Sequence, residues 1–393
     1  MERIALLFPG QGSQYQGMGK VIYSSSNNVK TIFRKAEEII GYNLKDICLY
    51  GKPNEQMEHA QVIIFLTGYC SWELYKERFP GALPRFMAGH SLGELTALAC
   101  GGALSFEDMI LLVAYREKCM NKYVALSSGM MISIIGVKEA VIEEICNETK
   151  YSNNSIVISN YNSFGNTVIS GEEYAIKKIA LRFEQMGGKI IQLNTSGAFH
   201  HPNMYGAAKE FQKEVMKYNI NLPDIPVVSN YNGFVYESKE QICSCLVRNI
   251  YSPVKWRHSL THMQGLGVEI FIDMGPNCIL KKMGRKQQSP LYLSLEEDEL
   301  EDYISEKKAN VYQVLETCLT ALICTKNYYP EDPTVNSELG KTIKMIQFVY
   351  DNLNSLGFTE VNNCLERTKV MLVKKNVSKE EIDKRLPVNL MQT

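Results

Sequence analysis

The pentapeptide Gly89-His90-Ser91-Leu92-Gly93 follows the apolar run Phe86-Met87-Ala88 and fits G-x-S-x-G. That turn lifts a serine hydroxyl off the end of a strand and onto a helix N-terminus. Glycine permits the tight turn, and the amides after the serine point at any oxyanion formed beside it. The chemistry of such a serine is covalent: its oxygen attacks an acyl carbon and holds the acyl group as an ester. A serine in an ordinary Gly-bounded βα turn has the same local pattern, so a base has to be found elsewhere. His59, His258 and His262 sit in polar or helical settings with no motif around them, and His90 lies inside the turn itself. His200 and His201 remain, in Ser196-Gly197-Ala198-Phe199-His200-His201-Pro202.

These groups need a scaffold, and the hydrophobic pattern describes one. Ile4 to Phe8 reads as a buried strand ended by the turn Pro9-Gly10-Gln11-Gly12-Ser13-Gln14. A buried helix is expected from Val62 to Trp72, a strand at Phe86-Met87-Ala88, and a small-residue helix through Glu94 to Leu98. Ser105 and Asp108 form a capping box for a helix to about Asn121. This alternation is that of an α/β domain with a largely parallel sheet. Between 126 and 197 the order becomes β-α-β-β-α-β. Its strands are expected at Met130–Val137, Ser155–Ser159, Asn166–Ser170 and Lys189–Leu193, with helices at Lys138–Glu148 and Glu173–Met186. This is a ferredoxin-like unit inserted into the larger domain. The α/β pattern resumes with a helix from Asn203, a strand at Pro226–Ser229, a helix at Trp256–Met263 and a strand at Val268–Asp273.

From about Glu297 only helical spacing is seen, in Val311 to Ile323, Ile343 to Leu353 and Leu365 to Val373, with Pro330-Glu331-Asp332-Pro333 as a linker. The expected division is 1–125 and 198–296 for the large domain, 126–197 for the insert and 297–393 for a helical C-terminal extension.

Composition narrows the class of function. The chain has 393 residues, 45% hydrophobic and 22% charged, and a net charge of -1, which argues against nucleic-acid or membrane-surface binding. Its 11 cysteines are scattered. With Cys243 and Cys245 as the only close pair, they read as buried or free thiols of a reducing cytoplasm. No run is long enough to span a bilayer.

The motifs GHSLGE at 89–94, FPGQGSQ at 8–14, an arginine twenty-five residues after the serine and Gly-Ala-Phe-His at 197–200 act together. The combination resembles the malonyl-CoA:acyl carrier protein transacylase family and the acyltransferase domains of polyketide synthases. Gln61, Asn160-Tyr161-Asn162-Ser163, Ser229-Asn230, Pro253-Val254-Lys255-Trp256 and Asp273-Met274-Gly275-Pro276 match as well, so the resemblance covers residues 1 to about 290.

It implies Ser91 as nucleophile and His200 as base and then acid, with the backbone N–H groups of Gln11 and Leu92 as oxyanion hole. A backbone carbonyl, at the position matching Lys255, would orient the histidine in place of a carboxylate. Arg116, Gln61, Asn160, Asn162 and Phe199 would bind substrate. A guanidinium in an acyl pocket is costly unless an anion joins it, and the free carboxylate of a malonyl group can do so through a bidentate pair. Bulky Phe199 resembles malonyl-selective members. Where a small residue commonly follows the catalytic histidine, this chain has His201, and Gln61 is followed by Val62 in place of the usual proline.

The implied activity is that of a malonyl-CoA:acyl carrier protein S-malonyltransferase acting by a ping-pong route. Malonyl-CoA is then the substrate, an acyl carrier protein or a synthase carrier domain the partner, and no cofactor or metal is needed. The alternative is an acyl hydrolase that clears carrier proteins, although relatives of that kind tend to lack the arginine. A lipase would need an acid between Ser91 and the histidine and an HGGG-type turn. A dinucleotide site would need a third glycine where Tyr15 stands. A pure scaffold leaves the nucleophile, base and arginine unexplained. The extension lies outside the match. Its amphipathic helices are expected to pack on the large domain or between subunits, or to dock a carrier protein or a synthase module through a basic patch of Lys369, Lys374, Lys375, Lys379, Lys384 and Arg385, which Glu380, Glu381 and Asp383 dilute. Such a tail on a free-standing transacylase resembles the discrete acyltransferases that serve polyketide or lipopeptide assembly lines in trans.

Overall fold

The computed structural model describes residues 3–126, 128–148, 156–284, 290–325, 332–352 and 358–386. Ser155 and the Pro330-Glu331 half of the expected linker lie outside these. By contacts the described chain forms two compact units, one of residues up to 74 with 84–296, the other of 75–83 with 297 onward.

The first unit is built on a parallel sheet of β1 (Ile4–Phe8), β2 (Phe86–Gly89), β7 (Val227–Val228), β8 (Ile270–Asp273) and β9 (Leu291–Ser294), in the order β7-β2-β1-β8-β9. All five residues of β1 are buried, as a central strand covered on both faces requires. Its register pairs Phe8 with Gly89, so the turns after β1 and β2 leave the sheet side by side at the strand C-termini. The His90 N–H donates to the Phe8 carbonyl at 2.8 Å and ties the two turns together. A Cβ on Gly89 would meet the Gly93 carbonyl carbon at 1.8 Å, and one on Gly93 would meet the Phe8 oxygen at 2.0 Å. Only glycine fits at either place.

A second sheet, in the same unit, contains β3 (Gly129–Ile135), β4 (Ile156–Ser163), β5 (Asn166–Glu172) and β6 (Lys189–Gln192), antiparallel in the order β4-β5-β3-β6. With helices Glu139–Glu148 and Glu173–Gln185 this is the ferredoxin-like β-α-β-β-α-β arrangement. Ile132, Ile134, Ile142, Ile145, Ile169, Ile176 and Phe183 form its own core. A bridge between Asn160 and Val254 joins β4 to the loop before helix Trp256–Gly265, which brings Asn160 and Asn162 toward the end of the parallel sheet.

The Ser105 side chain accepts the Asp108 N–H at 3.1 Å, and the helix it caps runs Phe106–Val124. Several elements go beyond the sequence expectation, among them the short helices Leu44–Tyr50, Pro53–Glu58, Ile279–Gly284 and Lys379–Arg385. Strand β9 is not anticipated, although it is as long as β2, β6 and β8. Helix Lys239–Asn249 was not anticipated either, although Ser238 accepts the Gln241 N–H at 3.1 Å and Ile242, Cys245, Leu246 and Asn249 line its buried face.

The second unit contains helices Glu299–Cys324, Pro333–Asp351, Phe358–Lys374 and Lys379–Arg385. Leu315, Cys318, Leu322, Ile346, Val361, Cys364 and Leu372 meet in its core. The basic surface expected here is largely spent. Lys369 pairs with Glu366, Lys374 with Glu338, Lys384 with Glu380 and Arg385 with Glu381, while Lys375 is buried. No helix among the described residues is long and apolar enough to cross a membrane.

Candidate active site

Ser91 has φ of 51° and His200 φ of 56°, both in the left-handed region that side-chain-bearing residues rarely adopt. Strain of this kind persists only where the surroundings over-determine it. In each case it presents a side chain to the same point: Ser91 Oγ and His200 Nε2 are 2.7 Å apart. His200 Nδ1 lies 2.7 Å from the Asn249 carbonyl oxygen, which can only accept. Nδ1 therefore carries the hydrogen, and the Nε2 lone pair faces the serine hydroxyl. Burial and the nearby Arg116 charge push the ring down to about 3 from its ordinary value, so it stays neutral at any physiological pH.

His201 points elsewhere. Its Nδ1 accepts the Asn203 N–H at 3.1 Å and caps the single 3-10 turn Pro202–Met204.

Asn249 corrects the expectation for Lys255. Lys255 is the N-cap of helix Trp256–Gly265, and its carbonyl accepts the Ser259 N–H at 3.0 Å and the Ser259 hydroxyl at 3.2 Å. An oxygen spent on the first turn of its own helix is not the one that holds the histidine. The carbonyl at the end of helix Lys239–Asn249 is.

A cavity of about 240 Å³ opens over the pair. Its wall includes Gln11, His90, Ser91, Leu92, Arg116, Asn160, Asn162, Phe199 and His200, with Met120, Met131, Val168 and Leu193 as apolar lining. The Gln11 and Leu92 amides have no hydrogen-bond acceptor among the described residues. They stand on the two turns that the β1–β2 register holds together. The Ser91 amide is occupied instead, donating to Asn230 Oδ1 at 2.7 Å. His90 Nε2 donates to Asn162 Oδ1 at 2.9 Å, and Asn160 Oδ1 accepts the Ser159 hydroxyl at 2.8 Å.

Arg116 is 2% exposed. One guanidinium nitrogen donates to Gln61 Oε1, and another reaches Ser91 Oγ at 3.4 Å. Gln61 is not on the cavity wall; it holds the arginine from behind, inside helix Ala60–Arg78. Its own N–H donates to the buried Glu117 carboxylate at 2.7 Å. Burial lowers Arg116 only to about 10, opposed by the charges of Glu94 and Glu117, so it remains a cation at neutral pH. A buried cation with free donors facing a cavity beside a nucleophile is an anion site.

Sequence reasoning did not identify Asn230, Asn249 or Glu94 as part of the site. Asn230 was visible as a matching fragment and Glu94 as the last residue of GHSLGE. A backbone carbonyl such as that of Asn249 has no side-chain signature.

The model of the acyl transferase domain matches residues 5–305 of the chain. The malonyl CoA-acyl carrier protein transacylase of Bacillus subtilis strain 168 is 34% identical over 289 residues, which are 73% of this chain and 90% of that protein. The crystal structure of an Acinetobacter baumannii FabD superposes with a TM-score of 0.74 at 28% identity, covering 77% of this chain and 98% of that one. A malonyl-transacylase solved in complex with its type II PKS acyl-carrier protein superposes with a TM-score of 0.71 at 30% identity, covering 75% of this chain and 96% of that one.

Proposed function

The chain belongs to the acyl transferase family, and from that premise we infer that it moves a malonyl group from malonyl-CoA to the phosphopantetheine thiol of an acyl carrier protein. The observation that carries this reading is the grouping of Ser91 Oγ with His200 Nε2 at 2.7 Å and the Arg116 guanidinium at 3.4 Å. The first pair supplies a nucleophile with its base; the arginine supplies the reason for a dicarboxylic acyl group.

In the first half-reaction the malonyl carboxylate pairs with Arg116 and sets the thioester carbonyl over Ser91. Nε2 of His200 takes the hydroxyl proton as Oγ attacks the carbonyl carbon. Negative charge moves to the carbonyl oxygen, where the Gln11 and Leu92 amides donate to it. Collapse breaks the C–S bond, and the imidazolium returns its proton to the leaving thiolate of coenzyme A. The second half-reaction runs the same steps with the carrier thiol as nucleophile and Ser91 as leaving group. The Asn249 carbonyl stabilises the transient imidazolium through Nδ1–H, the task a carboxylate performs in a triad.

Nucleophile, base and anion donors all come from the chain, so this chemistry asks for no cofactor. The many buried thiols suit a cytoplasmic location. The hydrolase alternative leaves the buried arginine without a task. Intact-mass analysis after mixing with malonyl-CoA alone tests the reading. A malonyl adduct is expected on the wild type and not on Ser91→Ala, and equal adduct on both would end the Ser91 assignment.

A further inference from the structure

Glu94 follows the nucleophile turn, is fully buried, and lies outside the cavity wall. A carboxyl group removed from water must have its oxygens satisfied by protein donors; burial raises Glu94 to about 7, opposed by hydrogen bonds from Tyr236 and the Asn230 N–H. Oε1 accepts the Asn230 N–H at 2.9 Å and the Tyr236 hydroxyl at 2.6 Å, and Oε2 accepts Asn249 Nδ2 at 3.0 Å. Two of those donors belong to the residues that fix the catalytic pair. Asn230 takes the Ser91 N–H on its Oδ1 and donates through Nδ2 to the Gly89 carbonyl, so it clamps the turn on both sides of the serine. The Asn249 carbonyl holds the His200 ring.

We propose that Glu94 is a positioning residue: one buried carboxylate sets the Ser91 turn through Asn230 and the His200 ring through Asn249. The two halves of the pair come from segments 109 residues apart, and both have backbone in the left-handed region, so neither holds its place by local preference. Glu94 is the common point to which both supports are tied. The Asn249 side chain shows the dependence most plainly. Its Oδ1 has no hydrogen-bond partner among the described residues, which leaves the bond from Nδ2 to Glu94 as the anchor of that side chain. Glu94 does not touch His200, so it is not the acid of a triad. It acts through two asparagines.

The inference rests on Ser91 and His200 being the working pair, as proposed above, and its test reads that pair separately from malonyl specificity. The rate of Ser91 phosphonylation by a fluorophosphonate, followed by intact mass, reports nucleophile and base alone; the malonylation burst and the KM for malonyl-CoA report the full reaction. Glu94→Leu is expected to slow both rates about 10²-fold, the usual scale for a misplaced catalytic pair, with KM changed less than about threefold on the same reasoning. Glu94→Gln should recover most of that loss. Its Oε1 still accepts from Asn230 and Tyr236, and the Asn249 amide can turn over so that its unpartnered Oδ1 accepts from the new Nε2. Asn249→Ala retains the backbone carbonyl, so it tests the link should Glu94→Leu not fold. It should slow phosphonylation roughly tenfold or more, and adding Glu94→Gln should cost no more than a further small factor. Wild-type phosphonylation in Glu94→Leu or in Asn249→Ala overturns the proposal. So does a loss in Glu94→Leu that Glu94→Gln fails to recover, or one that falls on KM alone. A wild type that takes the phosphonate but never malonyl would overturn the malonyl reading and leave the positioning role standing.

Discussion

Arg116 and Lys375 are both buried cations, 2% and 3% exposed, one in each compact unit. They are held in opposite ways. Lys375 donates to the Leu322 and Thr325 carbonyls, the free acceptors at the end of helix Glu299–Cys324, and so spends its ammonium on a helix C-terminus. Arg116 donates to Gln61 and, at 3.4 Å, to Ser91, and the rest of its fork has no acceptor among the described residues. It faces a cavity with donors to spare. Burial of a cation is therefore not what marks a site. The mark is donor capacity left unused, at a place where a ligand of opposite charge fits and a nucleophile waits.

The comparison can be broken in four places. The largest effect belongs to the pair beside Arg116. His200→Ala should slow transfer about 10³-fold or more, because both half-reactions move a proton at Ser91. His201→Ala, which removes a cap, should cost about 1 kcal/mol of stability and little rate. Single-turnover acylation of the two variants ranks them, and the reverse order would place the base one residue along.

Next comes the arginine. Arg116→Ala should lower the malonyl-to-acetyl ratio of kcat/KM by about ten- to over a hundred-fold, the value of a charge-assisted hydrogen bond of roughly 1.5–3 kcal/mol. A ratio that stays within about twofold of wild type makes Arg116 structural, like its counterpart.

The third is the counterpart itself. Lys375→Met should leave that ratio untouched and destabilise the second unit by about 1–3 kcal/mol, since two buried carbonyls lose their donor. Urea unfolding of the variant measures it, and a changed substrate ratio would erase the contrast.

The smallest effect is electrostatic. Free histidine titrates near 6.5, whereas His200 is held down to about 3 by burial and by Arg116. The base is competent when neutral, so acylation by a neutral acyl-CoA should stay flat as pH falls through 6.5 and drop only in stronger acid. Removing the arginine charge relieves the imidazolium, raises the ring and moves the acid limb to higher pH in Arg116→Ala. The same linkage makes the His200 contribution to stability complete above pH 6.5 and lost as pH falls from there toward 3. An acid limb at the same pH in both proteins would show that Arg116 does not act on the ring.

Much of this molecule is written in its residue types. Glycines 89 and 93 stand where a Cβ would strike backbone, so no other residue could occupy them and the turn is legible as text. Five successive apolar residues in β1, and the switch to a β-α-β-β-α-β order after it, announce a parallel sheet and its insert because burial on two faces or one imposes different periods. Strand β9 escaped although it is as long as β2 and β8, which did not. Helix Lys239–Asn249 escaped although a capping serine and a buried stripe were there to be read.

What the chain did not spell out were partnerships over long separations and through backbone atoms. The carbonyl that holds His200 belongs to Asn249, forty-nine residues on, and any residue type carries a carbonyl. Glu94 finds its three donors 136 to 155 residues away. Neighbouring acids already dilute the lysines of the last helices in sequence, but that Lys374 pairs with Glu338 and Lys375 is buried on the Leu322 and Thr325 carbonyls is set by partners 36 to 53 residues away. Sequence determines what each residue can donate, accept or exclude, because that is local chemistry. Which of those capacities are spent and which are left for a substrate depends on what the fold brings within about 3 Å, and that is decided in three dimensions.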